Sequence, residues 1–373
     1  MSRQRVVVKI GSSSLTTKAG ALSLKKVSMF VEAVAKLKQA GHEVVVISSG
    51  AVAAGFSAIG YPTRPVTIAG KQAAAAVGQA LLMQAYIEQF SKYELIPAQL
   101  LLTREDFADQ SRYSNAYSTL NELLKRGAIP IINENDSISI AELTFGDNDM
   151  LSALVSGMIH ANTLCMLTDV NGLYDANPKL DPNAKKIHYL PALTDELIAL
   201  AGESTSKVGT GGMKSKVSAA QTALSLGVNV FIGKSDSSDT FLDILAGKGD
   251  GTYIGTFLHE PVMPTTKQWI ALHSRSIAKI TVDQGAEAAL LTRGKSLLPV
   301  GITNVEGSFS VGDVIEVYGE DDKLLGKGKA SMTVHELEKF RAECQKDKES
   351  RYKHPVVIHR DEWVPLKKEM MKR

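Results

Sequence analysis

The chain has 373 residues, of which 44% are hydrophobic and 22% charged, and its formal net charge is +2. This composition is typical of a soluble folded protein, and the charge by itself indicates no polyanionic partner. The two cysteines, Cys165 and Cys344, are too few for a disulfide framework. No run approaches the roughly 18 consecutive apolar residues of a membrane span, and Lys9 interrupts the short apolar run at the start, unlike a signal peptide. We therefore expect a cytoplasmic protein without a membrane segment, divided into two domains because its length exceeds one compact core.

Short apolar runs rich in β-branched residues alternate with helical patterns through the first two-thirds of the chain. Strands are predicted at 5–10, 43–48, 128–132, 163–168 and 228–233. Helices are predicted at 22–40, 71–92, 115–126, 149–160 and 213–226. The strand-like runs are continuously apolar, which indicates strands that are covered on both faces. The predicted fold class is therefore α/β, an αβα sandwich with a mostly parallel sheet, whose ligands are expected at the carboxyl ends of the strands.

Lys9 is the first unusual residue at a predicted strand end. It lies late in the apolar run 5–10, and a glycine-serine turn follows at 11–14. A buried lysine is costly unless an anion meets it, and the turn supplies further donors for the same anion. Alternatively, the lysine extends from the strand end into solvent. The small residues at 48–55 leave a similar choice open, between close approach of a ligand and tight packing of a helix on the sheet.

Carboxylate and amide side chains crowd two neighbouring loops, 133–136 and 145–149, and the first of these loops follows a predicted strand. Either Asp147 or Asp149 is expected to cap the following helix, but capping does not explain the whole set. A site for a small zwitterion needs a carboxylate for the ammonium group and amides for the carboxylate. This set of side chains contains both.

Residues 209–216, Gly-Thr-Gly-Gly-Met-Lys-Ser-Lys, precede a helical pattern. Glycines and lysines at a helix start suit a polyphosphate, because backbone N–H groups and the helix dipole both favour negative charge. The segment fails the P-loop motif, since Val208 and Met213 stand where the two glycines belong. For this segment alone a flexible surface loop is an equal alternative. The turn-rich stretch 168–178, which follows the fourth predicted strand, indicates by itself no more than a connection.

Taken together, these strand-end features favour phosphoryl transfer, in which catalysis is mostly positioning and charge neutralisation. The chain has no apparent protein-kinase catalytic loop and no DFG signature, which is consistent with a nucleophile that needs no general base. A carboxylate is such a nucleophile, because its ordinary pKa is about 4 and it is ionised at neutral pH.

The pattern of the chain changes at 261–274, a proline-containing stretch that is predicted as a linker. Short strand-like runs separated by glycines follow at 277–282, 298–305, 314–318, 327–331 and 356–359, with one helix predicted at 334–343. This pattern is typical of a small β-rich domain. The predicted organisation is a first domain at 1–260, a linker at 261–274 and a second domain at 275–365.

Six motifs occur along the chain in a fixed order. They are Lys9-Ile10-Gly11-Ser12, Ser48-Ser49-Gly50-Ala51, Asn133-Glu134-Asn135-Asp136, Phe145-Gly146-Asp147-Asn148-Asp149, Thr168-Asp169 with Gly172-Leu173-Tyr174, and Gly209-Thr210-Gly211-Gly212-Met213. This set resembles the amino acid kinase family. The second domain, with Gly285-Ala286, Ser296-Leu297-Leu298-Pro299 and Gly301-Ile302, is similar to a PUA domain. One departure is Thr266-Lys267-Gln268-Trp269, where the family commonly has a basic pair before the tryptophan, and it concerns only the domain junction.

Within this family, the residues are most similar to those of members that transfer the γ-phosphoryl group of ATP to the side-chain carboxylate of L-glutamate. The resemblance implies an amino acid kinase sandwich, L-glutamyl 5-phosphate as the product that begins proline synthesis, and magnesium carried mainly by the ATP phosphates without a protein ligand. It also implies proline as a feedback inhibitor in the glutamate pocket and a homodimer or homotetramer. Sister kinases that act on aspartate or acetylglutamate share single motifs, so they remain the alternative.

The resemblance also assigns roles to the positions that match the family motifs. Lys9 and Lys216 would contact the transferring phosphoryl group, Asp149 would hold these lysines in place, and Gly11 and Gly50 would offer backbone N–H groups. The residues implied to hold glutamate are Ser49, Asn133, Asp136 and Asn148, with Asp136 near the ammonium group. The residues implied to bind the nucleotide are Lys9, Thr168, Asp169, Thr210, Gly211, Gly212, Met213, Lys214, Ser215 and Lys216.

Helix geometry distinguishes the two lysines at the start of the last predicted helix of the first domain. Residues two apart in a helix point roughly 200° around the axis from one another. Lys214 and Lys216 therefore cannot both face the phosphates once the helix has begun. The family pattern favours Lys216, and Lys214 would then face solvent or make a weak contact.

An RNA-binding protein is the alternative from a different functional class, since PUA domains often bind RNA. An RNA-binding surface is expected to be distinctly basic. Acidic residues slightly outnumber basic ones between Arg275 and Glu343, although the tail after Lys346 is richer in lysine and arginine. Kinase activity is therefore favoured as the main function, and RNA binding by the second domain is left open.

Overall fold

The computed structural model describes residues 3–17, 20–138, 148–176, 181, 183–194, 212–235, 237–256, 265–272, 274, 276–346 and 356–365. The chain forms two compact units. The first unit comprises Met1–Asp106 and Ser114–Val262, and the second comprises Phe107–Tyr113 and Met263–Arg373. The domain boundaries at 260 and 275 stay a prediction.

A mostly parallel sheet forms the centre of the first unit. The strands of this unit are β1 Arg5–Ile10, β2 Glu43–Ser48, β3 Pro97–Leu102, β4 Ile129–Glu134, β5 Thr163–Leu167, β6 Leu173–Tyr174, β7 Lys186–Ile187, β8 Tyr189–Leu190, β9 Asn229–Gly233 and β10 Gly251–Ile254. Eight of them form one sheet in the order β3-β4-β2-β1-β5-β9-β10-β8, and β6 pairs with β7 in a separate antiparallel ribbon. Within the large sheet only the pairing of β10 with β9 is antiparallel. The predicted α/β class with a mostly parallel sheet is confirmed.

Helices connect the parallel strands, as a parallel sheet requires. They are α1 Ser12–Leu15, α2 Leu24–Gln39, α3 Ala51–Gly55, α4 Ile68–Phe90, α5 Arg104–Ala108, α6 Gln110–Lys125, α7 Asn148–Met158, α8 Met213–Ser225 and α9 Thr240–Leu245. Two long helices begin at side-chain caps: Ser23 Oγ accepts a hydrogen bond from the backbone N–H of Lys26 at 3.4 Å, and Thr67 Oγ1 accepts one from that of Gly70 at 3.2 Å. A 3-10 turn at Ser91–Tyr93 follows α4.

The centre of the sheet is buried on both faces. Val6, Val7 and Val8 of β1 are all fully buried, although successive side chains of a strand point to opposite faces. On one face, α2 contributes Phe30 and Val34 to the same apolar cluster as Val6 and Val8. This two-sided burial explains why the strand sequences are continuously apolar.

Close packing of α3 against α4 depends on two glycines. A Cβ atom on Gly55 would overlap the backbone of Ala74 and Gly78, and one on Gly78 would overlap the backbone of Ala51 and Gly55. Because the obstacles are backbone atoms, neither position has room for a side chain. The small residues after β2 therefore serve helix-to-helix packing at Gly55, in place of the helix-to-sheet packing considered from the sequence.

The second unit is built around a five-stranded sheet. Its strands are β11 Ala278–Val282, β12 Ile302–Glu306, β13 Val314–Tyr318, β14 Leu324–Ala330 and β15 Ile358–Pro365, and their order is β12-β11-β13-β14-β15. Its helices are α10 Thr265–Leu272, α11 Gln284–Leu291 and α12 Val334–Lys346, with a 3-10 turn at Pro299–Gly301. The core contains Ile280, Val317, Leu337, Ile358 and Trp363. The expectation of a small β-rich second domain is confirmed.

Several elements differ from those predicted. The sequence patterns missed β3, β10 and α11. The end of the segment predicted as a linker contains α10. Ile270 of this helix is fully buried, and the helix packs on β15. β3 begins with Pro97 and is only partly buried, so it lacks the continuous apolar run of a central strand. β10 and α11 are short, so their patterns are weak.

None of the helices in the described part of the chain combines the length and the apolar character that crossing a membrane requires.

Candidate active site

The predicted site residues gather where parallel strands end. Lys9 of β1 pairs in register with Ile47 of β2 and with Met166 of β5. Because these strands run parallel, the chain leaves β1, β2 and β5 at the same edge of the sheet. β4 joins this group through its parallel pairing with β2. The edge therefore collects residues that are far apart in sequence, as expected for a ligand site of an open α/β sheet.

Three charged side chains form a buried group at this edge. Lys9 Nζ lies 2.6 Å from Asp149 Oδ1, and Lys216 Nζ lies 3.0 Å from Asp149 Oδ2. The exposed fractions are 4% for Lys9, 6% for Lys216 and 0% for Asp149. Lys9 therefore does not extend into solvent as the alternative interpretation of the sequence allowed, and it meets a carboxylate of its own chain.

The charges of this group do not cancel, because one carboxylate faces two ammonium groups. Burial by itself raises the pKa of the Asp149 carboxyl, but the two ammonium groups outweigh burial and hold this pKa below its ordinary value. Asp149 is therefore ionised at neutral pH, and the group keeps an excess positive charge. An excess positive charge held at low exposure suits a phosphoryl group, whose oxygens develop negative charge during transfer.

Three elements position these side chains. Lys9 is fixed by the two-sided pairing of β1, Asp149 lies in the first turn of α7, and Lys216 lies in the first turn of α8. Ser215 Oγ donates a hydrogen bond to Asp149 Oδ2 at 2.8 Å, so two consecutive residues of α8 contact this carboxylate. Lys214 is exposed, which leaves Lys216 as the lysine of this helix start that is directed into the site.

Two glycines lie beside this charged group in the chain. Gly11 follows β1 directly, and a Cβ atom there would lie 3.6 Å from Lys9 Nζ, so its backbone is close to the ammonium group. Gly50 follows β2 and has a φ of 113°, in the left-handed region that favours glycine. Gly50 therefore turns the chain from β2 into α3 without strain.

A cluster of amide and hydroxyl groups adjoins the charged group, because Asn148 directly precedes Asp149. Asn148 Nδ2 donates to Asn133 Oδ1 at 2.8 Å, to Ser49 Oγ at 2.8 Å and to the backbone oxygen of Ser48 at 3.1 Å. Asn133 and Asn148 are buried. Three of the residues expected to hold the substrate, Ser49, Asn133 and Asn148, are thus brought together.

Other polar residues of this cluster were not anticipated from the sequence. Asn133 Nδ2 donates to Gln79 Oε1 at 2.9 Å, and Gln79 Nε2 donates to Gln99 Oε1 at 3.0 Å. The hydroxyl groups of Ser48 and Tyr86 lie 2.8 Å apart, and burial raises the pKa of Tyr86 to about 12. Gln79 and Tyr86 lie within an alanine-rich helix and carry no motif, so no sequence signal singles them out.

Asp136, the residue expected near an ammonium group, follows β4 and is half-buried. Burial raises the pKa of its carboxyl, against the opposing attraction of Arg64. Arg64 was not anticipated from the sequence either. Asp147 and the rest of 139–147 lie outside the described residues.

The residues expected to bind the nucleotide are placed in part. Thr168 follows β5 at the same sheet edge, where its backbone N–H donates to Gly233 O at 2.9 Å and its hydroxyl donates to Asp169 Oδ1 at 3.1 Å. Gly212 is the N-cap residue of α8, which begins at Met213. Thr210 and Gly211 lie outside the described residues.

The charged side chains that the structure describes at this site do not form a ligand set for a metal ion. No group of three or more His, Cys, Asp or Glu side chains that could hold a metal ion occurs within the described ranges. Both oxygens of Asp149 already face ammonium groups. The two ammonium groups can donate hydrogen bonds to phosphate oxygens, and they cannot coordinate a bare cation.

Comparison with known proteins defines the class of this chain. Residues 4–234 match the model of the amino acid kinase family, and residues 278–354 match the model of the PUA domain. The chain therefore belongs to the amino acid kinase family. The resemblance that the motifs indicated is confirmed for both parts of the chain.

Individual relatives are similar over almost their whole length. A glutamate 5-kinase of Halalkalibacterium halodurans is 61% identical to this chain, and the match covers 99% of each chain. A glutamate 5-kinase of Bacillus cereus strain G9842 is 58% identical, over 98% of this chain and 100% of its own. Among solved structures, a carbamate kinase from Giardia lamblia bound to AMP-PNP is similar with a TM-score of 0.50 and 19% identity, over 68% of this chain and 99% of its own. At that identity the solved structure shows the fold alone.

Proposed function

We propose that this chain transfers the γ-phosphoryl group of ATP to the side-chain carboxylate of L-glutamate. The products are L-glutamyl 5-phosphate and ADP, and the reaction is the first step of proline biosynthesis. The names of two relatives that match over nearly the full chain support this assignment. The chemistry of the site supports it independently.

One observation carries the proposal on the structural side: Asn148 and Asp149 are consecutive. The amide cluster around Asn148 and the two lysines around Asp149 are therefore joined at the start of α7. A substrate held by the amides presents its far carboxylate to the lysines. This is the arrangement that a kinase of a small amino acid needs.

The reaction needs no general base, since the glutamate side chain is already ionised at neutral pH. A carboxylate oxygen attacks the γ-phosphorus as the bond from this phosphorus to the oxygen of the departing ADP breaks. Lys9 and Lys216 neutralise the negative charge on the transferring group, and Asp149 keeps both ammonium groups in position. Gly11 and Gly50 supply backbone N–H groups.

Each substrate has its own set of residues in this proposal. The residues that hold glutamate are Ser49, Asn133, Asp136 and Asn148. The nucleotide binds on the side of Thr168, Asp169 and residues 210–216. Magnesium is carried mainly by the ATP phosphate oxygens, in keeping with a site whose buried donors are ammonium groups.

Further assignments belong to the same proposal. Proline competes with glutamate for its pocket, the chain assembles as a homodimer or homotetramer, and it acts in the cytoplasm. RNA binding by the second domain is not part of this proposal, because two lysines of its sheet are paired with carboxylates. Lys279 pairs with Asp322 at 2.7 Å and Lys327 pairs with Glu316 at 3.7 Å.

Formation of ADP with L-glutamate, L-aspartate and N-acetyl-L-glutamate tests the choice of substrate. Hydroxylamine traps an acyl phosphate as a hydroxamate, so it separates phosphoryl transfer to a carboxylate from hydrolysis of ATP. We expect L-glutamate to give the fastest turnover with matching hydroxamate. Faster turnover with either of the other two acids would overturn the assignment.

A further inference from the structure

Gln79 is a residue of α4 with a buried side-chain amide, and no step of the proposed reaction uses it. Its side chain joins an exposed residue, Gln99, to a buried site residue, Asn133. The exposed fraction of Gln79 is 8%, so its amide is largely removed from water. A buried amide of this kind is stabilised only when its hydrogen bonds are made.

Two backbone groups fix the direction in which the neighbouring amides point. The backbone N–H of Glu134 donates to Asn133 Oδ1 at 2.9 Å, which turns Asn133 Nδ2 towards Gln79. The backbone oxygen of Ser48 accepts from Asn148 Nδ2 at 3.1 Å. A backbone N–H can only donate and a backbone oxygen can only accept, so both side-chain amides have one permitted orientation.

This orientation determines what Asn148 offers to a substrate. Its Nδ2 group is committed to Ser48, Ser49 and Asn133. Its Oδ1 atom accepts no hydrogen bond from any residue that the structure describes. Asn148 therefore presents an acceptor, and an acceptor suits the ammonium group of an amino acid better than a carboxylate.

We propose that Gln79 is a positioning residue for amino acid recognition: it holds Asn133, and through Asn133 it keeps the carbonyl oxygen of Asn148 directed towards the substrate ammonium group. This inference rests on the proposed function and deepens it. Gln79 does not touch the substrate. Its loss removes the side-chain hydrogen bond that holds Asn133 Nδ2, so Asn133 supports Asn148 less firmly. The binding of glutamate then weakens, while the lysine group stays intact.

The test compares Gln79→Met with Gln84→Met in the full chain. Methionine is close to glutamine in volume and lacks the hydrogen-bond acceptor. Gln84 is the control because it is an exposed residue of the same helix, and among the described residues its side chain bonds only to Glu88. We expect Gln79→Met to raise the KM for glutamate about tenfold, the worth of one charge-assisted hydrogen bond. The KM for ATP and the kcat stay near those of the unmodified enzyme, and Gln84→Met matches that enzyme throughout.

A second readout separates recognition of the ammonium group from general damage. Glutarate lacks the ammonium group, so the ratio of its inhibition constant to the KM for glutamate should fall several-fold in Gln79→Met. An unchanged KM for glutamate, an equal rise in the KM for ATP, or an unchanged glutarate ratio would each overturn the proposal.

A third variant covers the case in which Gln79→Met does not fold. Gln79→Glu keeps an acceptor for Asn133 Nδ2. Gln99 is exposed, so its amide can turn and donate to the new carboxylate. We therefore expect a KM for glutamate within about threefold of that of the unmodified enzyme. A rise above tenfold overturns the inference. Absence of glutamate-dependent turnover in the unmodified enzyme would instead contradict the proposed function, so the two failures are distinguishable.

Discussion

Replacing Asp149 with asparagine removes the negative charge on which the two site lysines converge. Asparagine has nearly the same shape, so the packing of α7 is preserved while both ammonium groups lose their counter-charge. Lys9 and Lys216 lie 2.6 Å and 3.0 Å from the two oxygens of Asp149, and all three side chains are buried. The substitution therefore leaves two buried positive charges that repel each other.

The expected magnitude follows from this burial. Removing one partner of a buried ion pair commonly costs about 3 to 5 kcal/mol, because the remaining charge stays uncompensated. Misplaced charge-stabilising donors commonly lower kcat by about 10² to 10³. We expect Asp149→Asn to lower the free energy of unfolding and to reduce kcat within these ranges, with a smaller effect on the KM for glutamate.

The assay combines urea unfolding with steady-state turnover at saturating ATP and glutamate. Asp239→Asn is the control, because Asp239 pairs with Lys36 at 2.8 Å but is exposed to solvent, where such pairs contribute little. The control should match the unmodified protein in both measurements. A kcat of Asp149→Asn within about threefold of that protein would refute the role given to this carboxylate.

Three further predictions follow from particular residues. Lys216→Ala should lower kcat by about 10² or more, whereas Lys214→Ala should lower it only slightly. Equal losses of kcat in steady-state kinetics would contradict the choice of Lys216 as the lysine that contacts the phosphoryl group. Gly78→Ala should destabilise the protein by about 3 kcal/mol, because the added methyl group meets backbone atoms of α3. Urea unfolding measures this loss, and an unchanged midpoint would show that α3 and α4 can separate. The pKa of Asp149 is lower in the folded protein than the value of about 4 expected in the unfolded chain. The stability that this carboxylate contributes is therefore present above about pH 4 and is lost as the pH falls through the folded-state pKa. In Asp149→Asn the free energy of unfolding should lose this dependence on pH.

The central strands could be predicted from sequence because the physics that forms them is local. β1 and β2 have the predicted bounds, since a buried parallel strand needs an unbroken apolar run and such runs end where polar turns begin. β3 could not be predicted in the same way. It lies at the edge of the sheet, so it tolerates Pro97 and partial exposure and carries a weak pattern.

One member of the charged group was indicated by its context, because Lys9 in an apolar strand is costly without an anion. Asp149 at a helix start gave no such signal, since capping would explain it, and its role beside Lys9 was implied only by the family resemblance. Gln79 gave no such signal, because a glutamine within a helix is ordinary until its partners in space are known. The connection from Gln79 to Asn133 spans 54 residues of sequence, which no local pattern records.

Transfer of an oxygen atom tests the central claim most directly. The enzyme is supplied with ATP and with L-glutamate whose side-chain carboxylate carries oxygen-18, and hydroxylamine then cleaves the acyl phosphate at its carbonyl carbon. If the carboxylate attacks the γ-phosphorus, the released phosphate retains one labelled oxygen, as mass spectrometry would show. Released phosphate that carries no label would mean that water, and not the glutamate side chain, had received the phosphoryl group, which would contradict the account.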